Sequence, residues 1–74
     1  MNKRTRKAVS LPVLLKTART SKKLSLRRLG YRAKVHYVTI QRIEAGLSTP
    51  TLDTLQKLAD ALGLDRALVF QAAA

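Results

Sequence analysis

Apolar residues recur along this chain with the period of a helix, in five short stretches separated by glycine, proline and polar breaks. Leu11, Leu14, Leu15 and Ala18 stand at i, i+3, i+4 and i+7, the stripe of an amphipathic helix. Ser10 is a candidate N-cap for it, and Pro12 is tolerable in a first turn whose amides are unpaired anyway. This helix is predicted to end near Lys22 and Lys23, where basic side chains suit the negative end of the helix dipole. Ser25 is placed to cap a second helix carrying Leu26, Leu29, Gly30 and Ala33. A third begins near His36, buries Ile40 and Ile43, and stops at Gly46, which adopts the left-handed conformation cheaply.

Leu47–Pro50 reads as a connector. Thr49 or Thr51 caps a fourth helix, with Asp53 in its first turn and Leu52, Leu55, Leu58, Ala59 and Leu62 along it, up to a stop at Gly63. Asp65 caps a short last helix with Leu68 and Val69 inward and Phe70 nearby. Joints this short leave no room for a sheet. The expected fold class is all-α, with residues 10–74 as one domain. Met1–Val9 (MNKRTRKAV) has four basic residues and no apolar face, and reads as a flexible arm.

Seventy-four residues make one domain at most, and a chain of that size buries only about 60 % of its extended surface. There is no cysteine and His36 is the lone histidine, so a disulfide is excluded and neither a zinc site nor any other cofactor is expected. Self-association is then the expected source of added stability, in an intracellular, cytoplasmic setting. No run is long enough to span a bilayer and no signal-peptide h-region follows the charged start, so no membrane role is expected.

Charge changes the picture most. The chain carries +11, but residues 1–43 hold 13 Lys or Arg and no acid, whereas residues 44–74 hold two bases against four acids. Such segregation predicts a polyanion-binding half joined to a near-neutral packing half. The second and third helices sit in the basic half, joined by a tight bend at Lys34 and Val35. A joint that short holds two helices at a steep angle, as in a helix-turn-helix over about residues 25–45. Gly30 and Ala33 permit the close crossing, and Leu29, Val35, Ile40 and Ile43 form the apolar cluster that fixes it. With Ile40 and Ile43 inward, Tyr37, Val38, Gln41 and Arg42 turn outward on neighbouring turns.

Residues 24–64, LSLRRLGYRAKVHYVTIQRIEAGLSTPTLDTLQKLADALGL, closely resemble the lambda-repressor-like helix-turn-helix family of regulators, also called the XRE family. The likeness runs from about Leu11 to Phe70, and IQRIEAG, then Pro50, then LDTLQKLADALGL carry it most specifically. It implies a five-helix domain that binds duplex DNA as a transcriptional regulator, a repressor in a bacterium or phage. It also implies base reading by Tyr37, Val38 and Arg42, with Gln41 beside them. Arginine suits the O6 and N7 of guanine, glutamine suits adenine, and valine suits a thymine methyl. An arginine of the first helix pairs with the glutamate closing the third in this family, and Arg19 and Glu44 occupy those positions. Three residues depart from the pattern. Leu26 stands where a phosphate-binding glutamine is usual, Lys34 where the turn commonly has glycine, and His36 where serine or threonine usually caps.

Phosphate contacts are then expected from Arg27, Lys34, Ser48 and Thr49, with Arg28 and Arg32 as alternatives. Lys3, Arg4, Arg6 and Lys7 of the arm are placed to follow the duplex backbone or enter a minor groove. Leu64, Leu68, Val69 and Phe70 supply apolar material for a homodimer on a palindromic operator; the alternative is that Leu64 and Val69 close the intramolecular core and the dimer forms only on DNA. An enzyme is disfavoured, because no cysteine, histidine pair or carboxylate pair is placed for catalysis. RNA binding is a rival reading, opposed by the scarcity of stacking aromatics: only Tyr31, Tyr37 and Phe70. A protein partner, such as the toxin of a toxin–antitoxin pair, remains compatible with DNA binding.

Overall fold

The computed structural model describes residues 10–74; the expected arm, residues 1–9, lies outside the described residues. Five helices follow in order: α1 (Leu11–Ser21), α2 (Leu26–Ala33), α3 (Tyr37–Glu44), α4 (Leu52–Leu62) and α5 (Arg66–Ala73). There is no strand among the described residues. The architecture is the five-helix, all-α domain that the helical periodicity predicts.

Most helix starts follow the predicted chemistry. Ser25, Thr51 and Asp65 each accept an amide hydrogen from the first turn of α2, α4 and α5. Ser10 does not: its backbone is extended as an N-cap requires, but its hydroxyl accepts no amide hydrogen. Pro12 explains part of this, since it removes one of the two amides such a cap reaches.

Four helices end through the same left-handed turn, in which the following amide reaches back to a carbonyl five residues earlier. The bonds are Leu24 N to Arg19 O, Val35 N to Gly30 O, Leu47 N to Arg42 O and Leu64 N to Ala59 O, all between 2.8 and 3.1 Å. Glycine takes the left-handed position at Gly46 and Gly63, with φ of 74° and 69°. Lysine takes it at Lys23 and Lys34, with φ of 58° and 59°. A side chain there is strained by about 1–2 kcal/mol.

The core contains Leu11, Leu15, Leu24, Leu29, Ala33, Ile40, Ile43, Leu55, Leu58, Ala59, Leu62 and Val69. Leu14, Ala18, Leu26, Val35, Leu64 and Phe70 pack partly buried against it. The helix-turn-helix pair α2 and α3 is therefore held from behind by α1 and α4, and α5 closes the bundle against α1 and α4.

Two apolar residues leave their expected places. Leu68 is 46 % exposed rather than inward, while its neighbour Val69 is the α5 residue fully buried in the core, at 0 % exposure. Leu52, in the first turn of α4, is 58 % exposed. One turn later Leu55 becomes the first residue of α4 in the core.

Candidate nucleic-acid interface

The turn into α3 brings its backbone close against Gly30 of α2. A Cβ on Gly30 would lie 2.6 Å from the Val35 carbonyl oxygen and 3.2 Å from the Tyr37 nitrogen. Gly30 thus sets how tightly the turn folds back. Ile40 and Ile43 are fully buried beneath α3, which rotates its other face to solvent. On that face Val38, Gln41 and Arg42 are exposed and Tyr37 is half-buried. Polar and apolar groups of several kinds stand on one solvent-facing helix surface, the requirement for touching base edges.

The start of α3 is more ordered than its residue types suggest. His36 caps it, with its Nδ1 accepting the Val38 amide hydrogen at 3.2 Å. The Tyr37 ring stacks beside the imidazole, with centroids 5.1 Å apart and planes 20° from parallel. From α2, Arg27 places its guanidinium 4.1 Å from the centre of the Tyr37 ring. The same guanidinium donates through Nη2 to the Tyr37 hydroxyl at 2.9 Å. No spacing rule in the sequence signals this contact, because ten residues and a turn separate the partners.

Arg19 and Glu44 meet behind the recognition unit. Arg19 donates from Nε and Nη2 to the two carboxylate oxygens, at 2.8 and 3.0 Å. A third donor, Nη1, reaches the Leu24 carbonyl at 2.8 Å. One guanidinium thus ties the end of α1, the joint to α2 and the end of α3. The side chains are only 12 % and 7 % exposed. Hydrogen bonding to Glu44 raises the Arg19 pKa above its ordinary value, with burial opposing and Coulomb attraction adding to the rise. The sequence contains both residues, but only the resemblance pairs them, and nothing in it signals the Leu24 bond.

Lys34, Ser48 and Thr49 are exposed, Lys34 at the helix-turn-helix bend and the other two in the connector after α3. Arg28 and Arg32 are exposed on α2. Tyr31 stands between them and is 85 % exposed. The expected dimer residues do not share one face. Val69 takes its inward place in the core with no exposed surface, and so offers nothing to a second copy. Leu64 and Phe70 are partly buried in their own chain, and Leu68 is exposed. Beyond the interface, Arg66 clamps α5 to the end of α4 through Asp60, at 3.0 and 2.7 Å. Its hydrogen bonds lower the Asp60 pKa below its ordinary value.

A five-helix bundle whose second and third helices cross at a glycine beneath a basic, solvent-facing surface defines a DNA-binding helix-turn-helix protein. A family model described as helix-turn-helix (HTH_3) matches residues 15–69, and the chain belongs to that family. No curated protein matches the chain.

Three solved structures are similar. An HTH_3 family transcriptional regulator from Vibrio cholerae is 33 % identical, with a TM-score of 0.75 over 82 % of this chain. This chain spans about a third of that longer protein, 34 % of its length. The restriction-modification controller protein C.AhdI from Aeromonas hydrophila is 27 % identical, with a TM-score of 0.77 over 85 % of this chain and 96 % of its own. The N-terminal DNA-binding domain of SinR from Bacillus subtilis is 26 % identical, with a TM-score of 0.76 over 81 % and 88 %. The family and these neighbours support DNA-binding transcriptional regulation.

Proposed function

We propose that the protein is a sequence-specific repressor that lays α3 in the major groove of duplex DNA, two copies binding a palindromic operator. The observation that carries this reading is the solvent-facing side of α3, where Val38, Gln41 and Arg42 stand exposed over a fully buried Ile40 and Ile43. Arg42 is assigned to guanine, Gln41 to adenine and Val38 to a thymine methyl. Arg27 and Lys34, with Ser48 and Thr49 of the connector, hold the phosphates on either side. Arg19 and Glu44 keep α3 at its angle without presenting an unpaired carboxylate to the backbone.

A dimer supplies discrimination that one recognition helix lacks, by placing two such helices about one turn of DNA apart. Leu68 and the exposed edge of Phe70, on an α5 with Arg66 as its one charged residue, are the surface proposed for the second copy. Its place of action is proposed to be the cytoplasm, on the nucleoid. Selection of bound duplexes from a random library tests the whole reading at once. It is expected to return a palindrome with half-sites one helical turn apart, and binding that weakens steeply with salt. Sequences without common bases, or salt-independent binding, would refute groove docking. Asymmetric sites bound by one copy would refute the dimer alone.

A further inference from the structure

The contact between Arg27 and Tyr37 joins a residue assigned to phosphate with one assigned to bases, and these two roles conflict. A tyrosine whose ring lies under a guanidinium and whose hydroxyl accepts from it has little left to offer a base edge. An arginine held this way has fewer conformations to lose on meeting a phosphate, and lost side-chain freedom is a main cost of binding. The Tyr37 ring is itself seated against the imidazole of His36, whose Nδ1 is fixed by the Val38 amide. A short relay therefore runs from the backbone of α3 through His36 and Tyr37 to a charge on α2. It holds that charge beside the start of α3, where the helix dipole also favours an anion.

We propose that Tyr37 is a positioning residue for Arg27, and that the two act on DNA as one phosphate-binding unit rather than as a base reader and a separate cation. The proposal rests on the groove-docking reading above. It reassigns Tyr37 within that reading and leaves sequence discrimination to Val38, Gln41 and Arg42. It also gives a physical replacement for the polar side chain that Leu26 lacks at the start of α2: the anchor has moved one residue along, to Arg27, and is steadied across the turn.

The test is a double-mutant cycle on duplex DNA, with Arg27→Ala, Tyr37→Leu, Tyr37→Phe and the double variant Arg27→Ala/Tyr37→Leu. Each protein is titrated against the selected operator and all its single-base changes, at several salt concentrations. Arg27→Ala is expected to flatten the log–log salt slope by about 0.9, the value of one phosphate. Tyr37→Leu is expected to weaken every duplex about two- to fivefold, the strength of an exposed cation–π contact, with base preferences unchanged. In the Arg27→Ala background the same change is expected to have almost no effect, since the group it positions is gone. Tyr37→Phe keeps the ring and is expected to restore most of the loss.

An equal effect of Tyr37→Leu in both backgrounds overturns the proposal. So does a changed preference at a single base position, which makes Tyr37 a reader in its own right. Thermal melting of each variant separates these results from unfolding. A wild-type salt slope near zero would instead bring down the groove-docking reading beneath it.

Discussion

Gly30→Ala puts the geometry of the recognition unit to a stringent test, because helix propensity and packing pull in opposite directions. In an ordinary helix interior this change is stabilising by about 1 kcal/mol. Here the added Cβ would stand 2.6 Å from the Val35 carbonyl oxygen, about 0.8 Å inside ordinary contact. The atoms it meets are backbone atoms of the turn and of Tyr37, so no side chain can swing aside. Overpacking against a fixed wall costs about 1–3 kcal/mol or more. After the propensity gain we expect a net loss of roughly 1–2 kcal/mol, a fall in Tm of about 5–15 °C for a domain of this size.

Because the strain is relieved by opening the angle between α2 and α3, DNA binding should weaken beyond what instability explains. Gly46→Ala is the control: its φ is +74° but nothing lies within 4 Å, so it should lose only the left-handed penalty of about 1 kcal/mol. Circular-dichroism melts and binding titrations below the lower Tm measure both. A Gly30→Ala protein that melts at or above wild type and binds DNA equally well would refute the close-crossing argument.

Other expectations follow from individual contacts. Glu44→Ala leaves the largely buried Arg19 guanidinium without its carboxylate and should cost about 3 kcal/mol by chemical denaturation, with Glu44→Gln recovering part; a loss under about 0.5 kcal/mol would make the pair ornamental. Lys34→Gly relieves a left-handed lysine and should raise Tm by a few degrees, while removing one phosphate contact and flattening the salt slope; the two effects must appear together. The Asp60 carboxyl is held below its ordinary value in the folded state. The stability it contributes with Arg66 is therefore complete above the unfolded value of 3.8 and is lost as pH falls through the folded one. Melting curves of wild type and Asp60→Asn should accordingly differ at neutral pH and converge in acid, and a difference independent of pH would contradict the pair.

What the sequence discloses follows from what its physics can encode. Helix ends were legible because Ser25, Thr51, Gly46 and Gly63 act on amides and dihedrals a few residues away. The faces of α1, α3 and most of α4 were legible because Leu11, Leu15, Ile40, Ile43, Leu55, Leu58 and Leu62 repeat at helical spacing. On α5, Leu68 and Val69 are adjacent and equally apolar, and eight residues are too few for periodicity to show that only Val69 points inward. Ser10 looked like a cap by type, but the proline two residues on removes one of the amides it would serve. Arg19 meets Glu44 across 25 positions, a distance at which only likeness to a known family could pair them. The bond from Arg27 to Tyr37 had no such precedent and became visible only when α2 and α3 were placed together.

In the proposed complex α3 reads bases and α2 holds the backbone, a division of labour open to measurement. Its most direct test is the full single-base preference profile of the selected operator, measured for wild type, Arg42→Ala and Arg27→Ala at one salt concentration. Arg42→Ala is expected to lose about 1–3 kcal/mol of discrimination at one or two positions per half-site, while Arg27→Ala weakens all duplexes about equally. An unchanged profile in Arg42→Ala, or position-specific loss in Arg27→Ala, would contradict it.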